Sequence, residues 1–460
     1  MNTTELEQFE NILKNEENKE DKPVEMSFQD KMFNKVNVIL TELNERLIER
    51  EELNMLLVLA IFSKSHIFLI GKPGVGKTFA IHLLKDAVEG AKYFETLIMH
   101  DTKPEELFGT TFIDSNGRLN YDIEHTVIDS HFVFLDEVFK GTSQILNGLL
   151  SITSNDRNFF MRPHGEIKVP LNTFFAASNE FPSDEALDPF DDRLPIRYEV
   201  ERIKDPNNFK RLITKDFKTG ELKTKIYLEE IEKVFNEAKD VYISDDMLNI
   251  LTSLKDLIIK DGIDMSDRKF STAVNILKVM AYLNNRNKLN YSDTFLLLHI
   301  GWRDFTDRRK LREVIFKFWF STKDAFLKDL ITIENMIKNV NLEISKIDAF
   351  LNKSLVFNQK NIEDKEKVFL SYLEFTKQIL VYLEELFNKN IQPLYGLLQQ
   401  IYLVEKEIED NIFLINFKNQ TVNQVEINRL ENMKKNIENQ YNFIASFIQQ
   451  NSTLLDYENN

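Results

Sequence analysis

Gly71, Gly76, Lys77 and Thr78 stand at the spacing G-x-x-x-x-G-K-[ST] within LIGKPGVGKTFAI (69–81). Phosphate chemistry accounts for each residue type. Glycines let successive backbone N–H groups close around phosphate oxygens, and a helix starting at the end of the loop adds positive potential. Lys77 would reach the β and γ phosphates, and the Thr78 hydroxyl would ligate Mg2+. A second group lies in HFVFLDEVFK, where Asp136 and Glu137 close an apolar run. Carboxylates in such a place are costly unless paired or bound to metal. Asp136 would hold Mg2+ through water, and Glu137 would orient and activate an attacking water.

Two further polar residues sit at strand boundaries. Asn179 ends the apolar run of FFAASNE, where an amide can help hold the lytic water or simply make a turn. Arg193, in DPFDDRLPIRYEV, precedes a strand; it would complete a neighbour's active site or make a surface ion pair. The seven histidines show no metal-ligand spacing, and His66 and His131 read as strand-edge residues. The basic cluster RDFTDRRKLR (303–312) reads as a solvated helix face or a partner of the acidic tail, with an acidic partner or anionic lipid headgroups as the alternative.

The elements that must carry these groups follow from the pattern. HIFLIG (66–71), YFETLIM (93–99), HFVFLDE (131–137), NTFFAASN (172–179) and IRYEV (196–200) are short β-rich apolar runs. Helical patterns such as TFAIHLLKDAV (78–88) and SQILNGLLSIT (143–153) separate several of them, which predicts a parallel sheet covered on both faces. TTFIDSNGRLNYDI (110–123) has Asn116–Gly117 at its centre and predicts a hairpin. FFMRPHGEIKVP (159–170) predicts a second, turning near Pro163–Gly165. Nine of the ten prolines lie between Pro23 and Pro206, and after Gly301 the only glycine is Gly396. Helices exclude both residue types, so the chain should change character along its length. The expected division is an acidic tail (1–30), a nucleotide-binding core of alternating strands and helices (31–200), a mostly helical segment (201–310) and a long-helix C-terminal domain (311–460). The core holds a complete motif set, so a chain ending near Lys317 is expected to keep basal hydrolysis.

Composition narrows the function. The 460 residues carry a formal net charge of −16 and no cysteine. Such a charge opposes non-specific nucleic-acid binding, which needs a basic face. Thiolate metal sites and cysteine nucleophiles are excluded. The N-terminus lacks the basic and apolar regions of a signal peptide, and no apolar run is long enough to span a membrane, so a cytoplasmic location is expected.

The P-loop, the LDE strand end, the Asn-ended strand, DRLPIR and the later MSDRKFSTAVNIL (265–277) together resemble the AAA+ ATPases. TKPEELFG (102–109), FLDEVFKGTSQILNGLLSITSNDRNF (134–159) and FFAASNEFPSDEALDPFDDRLPIR (174–197) resemble more narrowly the MoxR branch and its RavA-like members. The likeness covers roughly residues 40–310. It implies an α/β P-loop core with a five-stranded parallel sheet, an all-α lid, an all-α C-terminal domain, and a ring, usually a hexamer, with ATP and Mg2+ at subunit interfaces. It implies that Pro73, Gly74, Val75 and Phe79 join Gly71, Gly76, Lys77, Thr78 and Asp136 around the nucleotide. It implies that Glu137 is the base, Asn179 the first sensor, Arg193 the finger given in trans, and Arg268 the lid arginine that reads the γ-phosphate. The two hairpins match the insertions of this clade, and Glu49–Arg50 stand where the family meets the base. The sequence departs from the family at Asn155-Asp156-Arg157, where N-E-R is usual, and residues 311–460 show no β-rich, glycine-turned insert. The implied function is remodelling of a protein client, with a VWA-domain adaptor. A nucleic-acid motor and a nucleotide-regulated scaffold are the alternatives.

Overall fold

The computed structural model describes residues 26–320 apart from 118, 155, 162–164 and 183–187, and residues 403–414 apart from 405 and 409. The tail up to residue 25 and most of the expected long-helix domain lie outside the described residues. Helix α1 (Phe28–Asn44) begins at Ser27, whose side chain and that of Asp30 cap each other's backbone. Helix α2 (Glu51–Phe62) is buried at every residue from Leu53 to Phe62, the expected state of a helix apolar all round. Strand β1 (Ile67–Ile70) leads into the P-loop and helix α3 (Lys77–Lys85). Then come β2 (Val88–Glu89), β3 (Tyr93–Leu97) and α4 (Pro104–Phe108). The first hairpin pairs β4 (Thr110–Ile113) with β5 (Leu119–Asp122).

Strand β6 (Phe132–Asp136) and helix α5 (Ser143–Ile152) precede the second hairpin, β7 (Asn158–Met161) with β8 (Gly165–Lys168). Next are β9 (Thr173–Ser178), the single turn α6 (Asp188–Asp191) and β10 (Ile196–Glu199). The five long apolar runs form one parallel sheet in the order β10-β1-β9-β6-β3. The central strands β1, β6 and β9 are buried almost throughout, because helices cover both faces.

The chain leaves the sheet through α7 (Pro206–Thr214) and β11 (Ile226–Tyr227), which pairs with β2. The lid follows: α8 (Leu228–Glu237), α9 (Asp245–Lys260), α10 (Asp267–Leu283), a run of 3-10 turns (Tyr291–His299) and α11 (Phe305–Phe320). Helix α10 packs on α1 and α2, so lid and core are in direct contact. The basic cluster pairs internally: Arg303 meets Asp264 at 3.0 Å, and Arg308 pairs with Glu199. Among the described residues no helix is long and apolar enough to cross a membrane.

The segment 403–414 packs with the lid. Val404, Ile408, Phe413 and Leu414 are buried with the lid residues. The Asn411 carboxamide accepts from Asn284 Nδ2 at 2.9 Å and donates to Asp293 Oδ1 at 3.1 Å. Part of the C-terminal region therefore completes the lid's core.

Candidate nucleotide site and a second basic face

The cradle is built at the C-terminal end of β1. Gly74 and Gly76 adopt φ of +79° and +89°, conformations that favour glycine. A Cβ on Gly71 would lie 2.5 Å from the Val200 carbonyl oxygen, so the approach of β10 also demands glycine there. Gly76 caps α3 in the left-handed conformation, which aims the first turn of the helix at the loop. Lys77 is buried, and its Nζ donates to Gly71 O at 2.6 Å and to Ser178 O at 3.3 Å. Burial lowers its pKa, while Asp136 and Glu137 oppose that shift. Thr78 is half-buried; Phe79, Pro73 and Gly74 are exposed, and Val75 is buried beneath the loop. Arg50 braces the cradle from below: its Nη2 donates to Val75 O at 2.9 Å and to Glu201 O at 2.7 Å. Glu49 accepts from the backbone of Lys204 and Asp205 and so fixes the start of α7 beside it.

Asp136 ends β6 beside this loop, and its carboxylate accepts from Glu137 N at 3.0 Å. Glu137 is held at φ +54°, a left-handed conformation rare for a non-glycine residue. Its Oε2 is buried and accepts no hydrogen bond among the described residues, with Lys140 Nζ at 3.5 Å. Such a strained, under-satisfied carboxylate at a strand end is the chemistry expected of a base waiting for a water proton. Asn179 follows β9 and is exposed at the same edge. Phe181 just beyond packs on Trp302 and Phe305, tying this strand end to the lid. The glycine cradle and the orphaned carboxylate fit a nucleotide triphosphate. Among the described residues no cluster of His, Asp and Glu forms a metal cage, so Thr78 and Asp136 would share a Mg2+ with phosphate oxygens.

Arg193 and Arg268 lie elsewhere. Both line a cavity of about 1130 Å3 with His66, Arg157, Leu171 and Pro195. His66, Leu171 and Pro195 precede β1, β9 and β10, whereas the P-loop, Asp136 and Asn179 follow or close β1, β6 and β9. In a parallel sheet these are opposite edges, separated by strands of four to six residues, roughly 13–20 Å. The two arginines are close enough that Arg268 adds to the burial that lowers the Arg193 pKa. Arg157 is fixed at the cavity wall by bonds to the carbonyls of Leu171 and Lys64. The family resemblance named both arginines but gave no sign that they stand together.

A P-loop at the C-terminal edge of a five-stranded parallel sheet, with an all-helical lid behind it, defines the AAA+ class of P-loop proteins. Comparison with known proteins agrees. The family model described as the MoxR domain of MoxR-vWA-beta-propeller ternary systems matches residues 34–239, and an AAA lid domain model matches residues 246–315. Two uncharacterized proteins of Methanocaldococcus jannaschii are 33% and 35% identical over 320 and 322 residues, covering 69% and 67% of this chain and 82% and 83% of theirs. The chaperone MoxR1 of Mycobacterium tuberculosis is 26% identical over 111 residues, which is 24% of this chain and 29% of the chaperone. A crystal structure of a Cytophaga hutchinsonii protein classed as an ATPase superposes with a TM-score of 0.50 at 17% identity, covering 63% of this chain and 95% of that one, a likeness of fold. The chain belongs to the MoxR family of AAA+ ATPases.

Proposed function

We propose that the chain is a Mg2+-dependent ATPase that works in the cytoplasm as a ring, most simply a hexamer, and remodels a protein client together with a vWA-domain partner. One observation carries the ring: the cradle and the arginine pair occupy opposite edges of one parallel sheet. Neither arginine can reach the chain's own nucleotide across the sheet, but head-to-tail stacking of copies would bring one edge against the other. An exposed apolar surface beside the cradle supports such stacking. No residue of α7 is buried, and Phe209, Leu212 and Ile213 face outward. The vWA partner is proposed from the family model, which names its subgroup by vWA and beta-propeller proteins and not by RavA.

In this reading Lys77 leaves the carbonyls of Gly71 and Ser178 to meet the β and γ phosphates. Thr78 and Asp136 would hold Mg2+, which would offset phosphate charge. Glu137 accepts a proton from the attacking water while Asn179 holds that water in line. The water oxygen bonds to the γ-phosphorus, the bond to the bridging oxygen breaks, and ADP leaves. Arg193 and Arg268 of a second copy stabilise the charge that spreads over the transferred group. The test is turnover per subunit measured against protein concentration, with assembly followed by light scattering. Turnover should rise as rings form. Equal turnover in verified monomers would refute the shared site.

A further inference from the structure

The turn that carries Arg193 and the helix that carries Arg268 are joined by one carboxylate. Asp192 Oδ1 accepts from Ser266 Oγ at 3.0 Å and lies 3.5 Å from Lys269 Nζ. Ser266 is the N-cap of α10 and also accepts from Lys269 N at 3.1 Å, so one hydroxyl both starts the helix and binds the turn. Lys269 is almost fully buried, at 1% exposure. A buried ammonium needs a fixed anion beside it.

The turn is anchored from below as well. Asp191 pairs with the fully buried Arg197 at 2.5 Å, and Arg197 also donates to Asp191 O and to Arg303 O of the lid. Arg193 folds against its own turn, Nη1 donating to Pro189 O at 2.8 Å, while its Nε is buried with no hydrogen-bond partner among the described residues. Two guanidinium groups repel at short range, so their common placement on the cavity wall must be imposed by what holds their backbones.

We infer that Asp192, through Ser266 and Lys269, is a positioning residue that locks the Arg193 turn to the first turn of α10, so that both arginines are presented to a neighbouring copy's nucleotide as one unit. This rests on the proposed shared site and adds the device that orients its second half. Asp192 touches no substrate in this account. Its loss should leave the cradle on the same chain intact and spoil the face given to the neighbour.

The experiment uses the full chain. In uniform rings Asp192→Asn should lower kcat about 10- to 100-fold, the scale of a displacement of about 1 Å, with KM for ATP within a few-fold. Mixing with Glu137→Gln subunits, inactive themselves but carrying an intact Asp192 and Arg193, should restore activity. A general weakening of the fold would not be rescued in this way. Ser266→Ala removes the same hydrogen bond from the lid side while keeping both charges; it should show the same pattern, and it replaces Asp192→Asn should that chain fail to assemble. Arg193→Ala mixed with Glu137→Gln is the control. Unchanged kcat in both positioning variants would overturn the inference. So would rescue of Arg193→Ala without rescue of Asp192→Asn or Ser266→Ala, and that result would leave the shared site standing. Failure of the Arg193→Ala control itself would overturn the shared site, and the inference with it.

Discussion

At the scale of the residue, Glu137 combines a left-handed backbone with a buried oxygen that accepts no hydrogen bond among the described residues. Glu137→Gln keeps the shape and removes the base. Steady-state hydrolysis should fall at least about 100-fold, with ATP affinity, read by a fluorescent nucleotide, held within a few-fold. Near-wild-type turnover would assign the proton transfer elsewhere. His66 makes a different argument. Burial, with Arg157 adding to it, pushes its pKa down to about 3 from 6.5, and its Nδ1 accepts from Phe174 N at 3.1 Å. Below pH 6.5 the unfolded chain takes up a proton that the native chain refuses. Stability from this residue is therefore lost as pH falls from 6.5 toward 3. His66→Asn keeps an acceptor and cannot titrate, so its denaturation midpoint should depend less on pH across that window. An unchanged slope would contradict the assignment. The P-loop residues were legible because their requirement is local: positive φ, a close approach and a helix start, all within a few positions. Asp192 and Lys269 were not, since an ion pair between distant segments leaves no periodic trace in either.

Among the elements, the five strands of the sheet and both hairpins could be read from apolar runs and turn residues. Gly117, at φ +73°, sits at the turn of the first hairpin, and Gly165, at φ +82°, opens β8 of the second. Less visible was how the hairpins are tied to each other. Phe108 of α4 packs on Gly148 of α5, and its ring stacks on Phe159 of β7 at 5.1 Å between centroids. A Cβ at Gly148 would lie 2.4 Å from the Phe108 ring. Gly148→Ala should cost about 1–3 kcal/mol and displace both hairpins, seen as a lower thermal midpoint and faster amide exchange over 108–122 and 158–168. A wild-type midpoint would show that the ring moves aside freely. The contact of 403–414 with the lid was not legible for a related reason: a buried amide pair such as Asn284 with Asn411 has no signature in one strand of sequence. A chain ending at Lys317 loses Val404, Ile408, Phe413 and Leu414 from the lid and leaves buried Asp293 without its Asn411 donor. Such a chain should unfold earlier or aggregate. Unaltered stability and turnover in the soluble truncation would restore the separable division expected from the sequence.

For the whole molecule, the parallel sheet is the decisive feature. It sends the cradle, the carboxylates and Asn179 to one edge and Arg193 with Arg268 to the other, and the proposed shared site rests on that separation. The family resemblance gave Arg193 to a neighbour's site and Arg268 to the lid; the spatial pairing of the two arginines became clear only from the fold. The most direct measurement is ATP turnover by an equimolar mixture of Glu137→Gln and Arg193→Ala subunits, each inactive alone, after mixed rings are verified by mass. About one interface in four then joins an intact Glu137 to an intact Arg193 from the neighbour. The account predicts that a substantial part of wild-type activity, of that order, returns on mixing. Mixed rings that remain as inactive as either parent would contradict it.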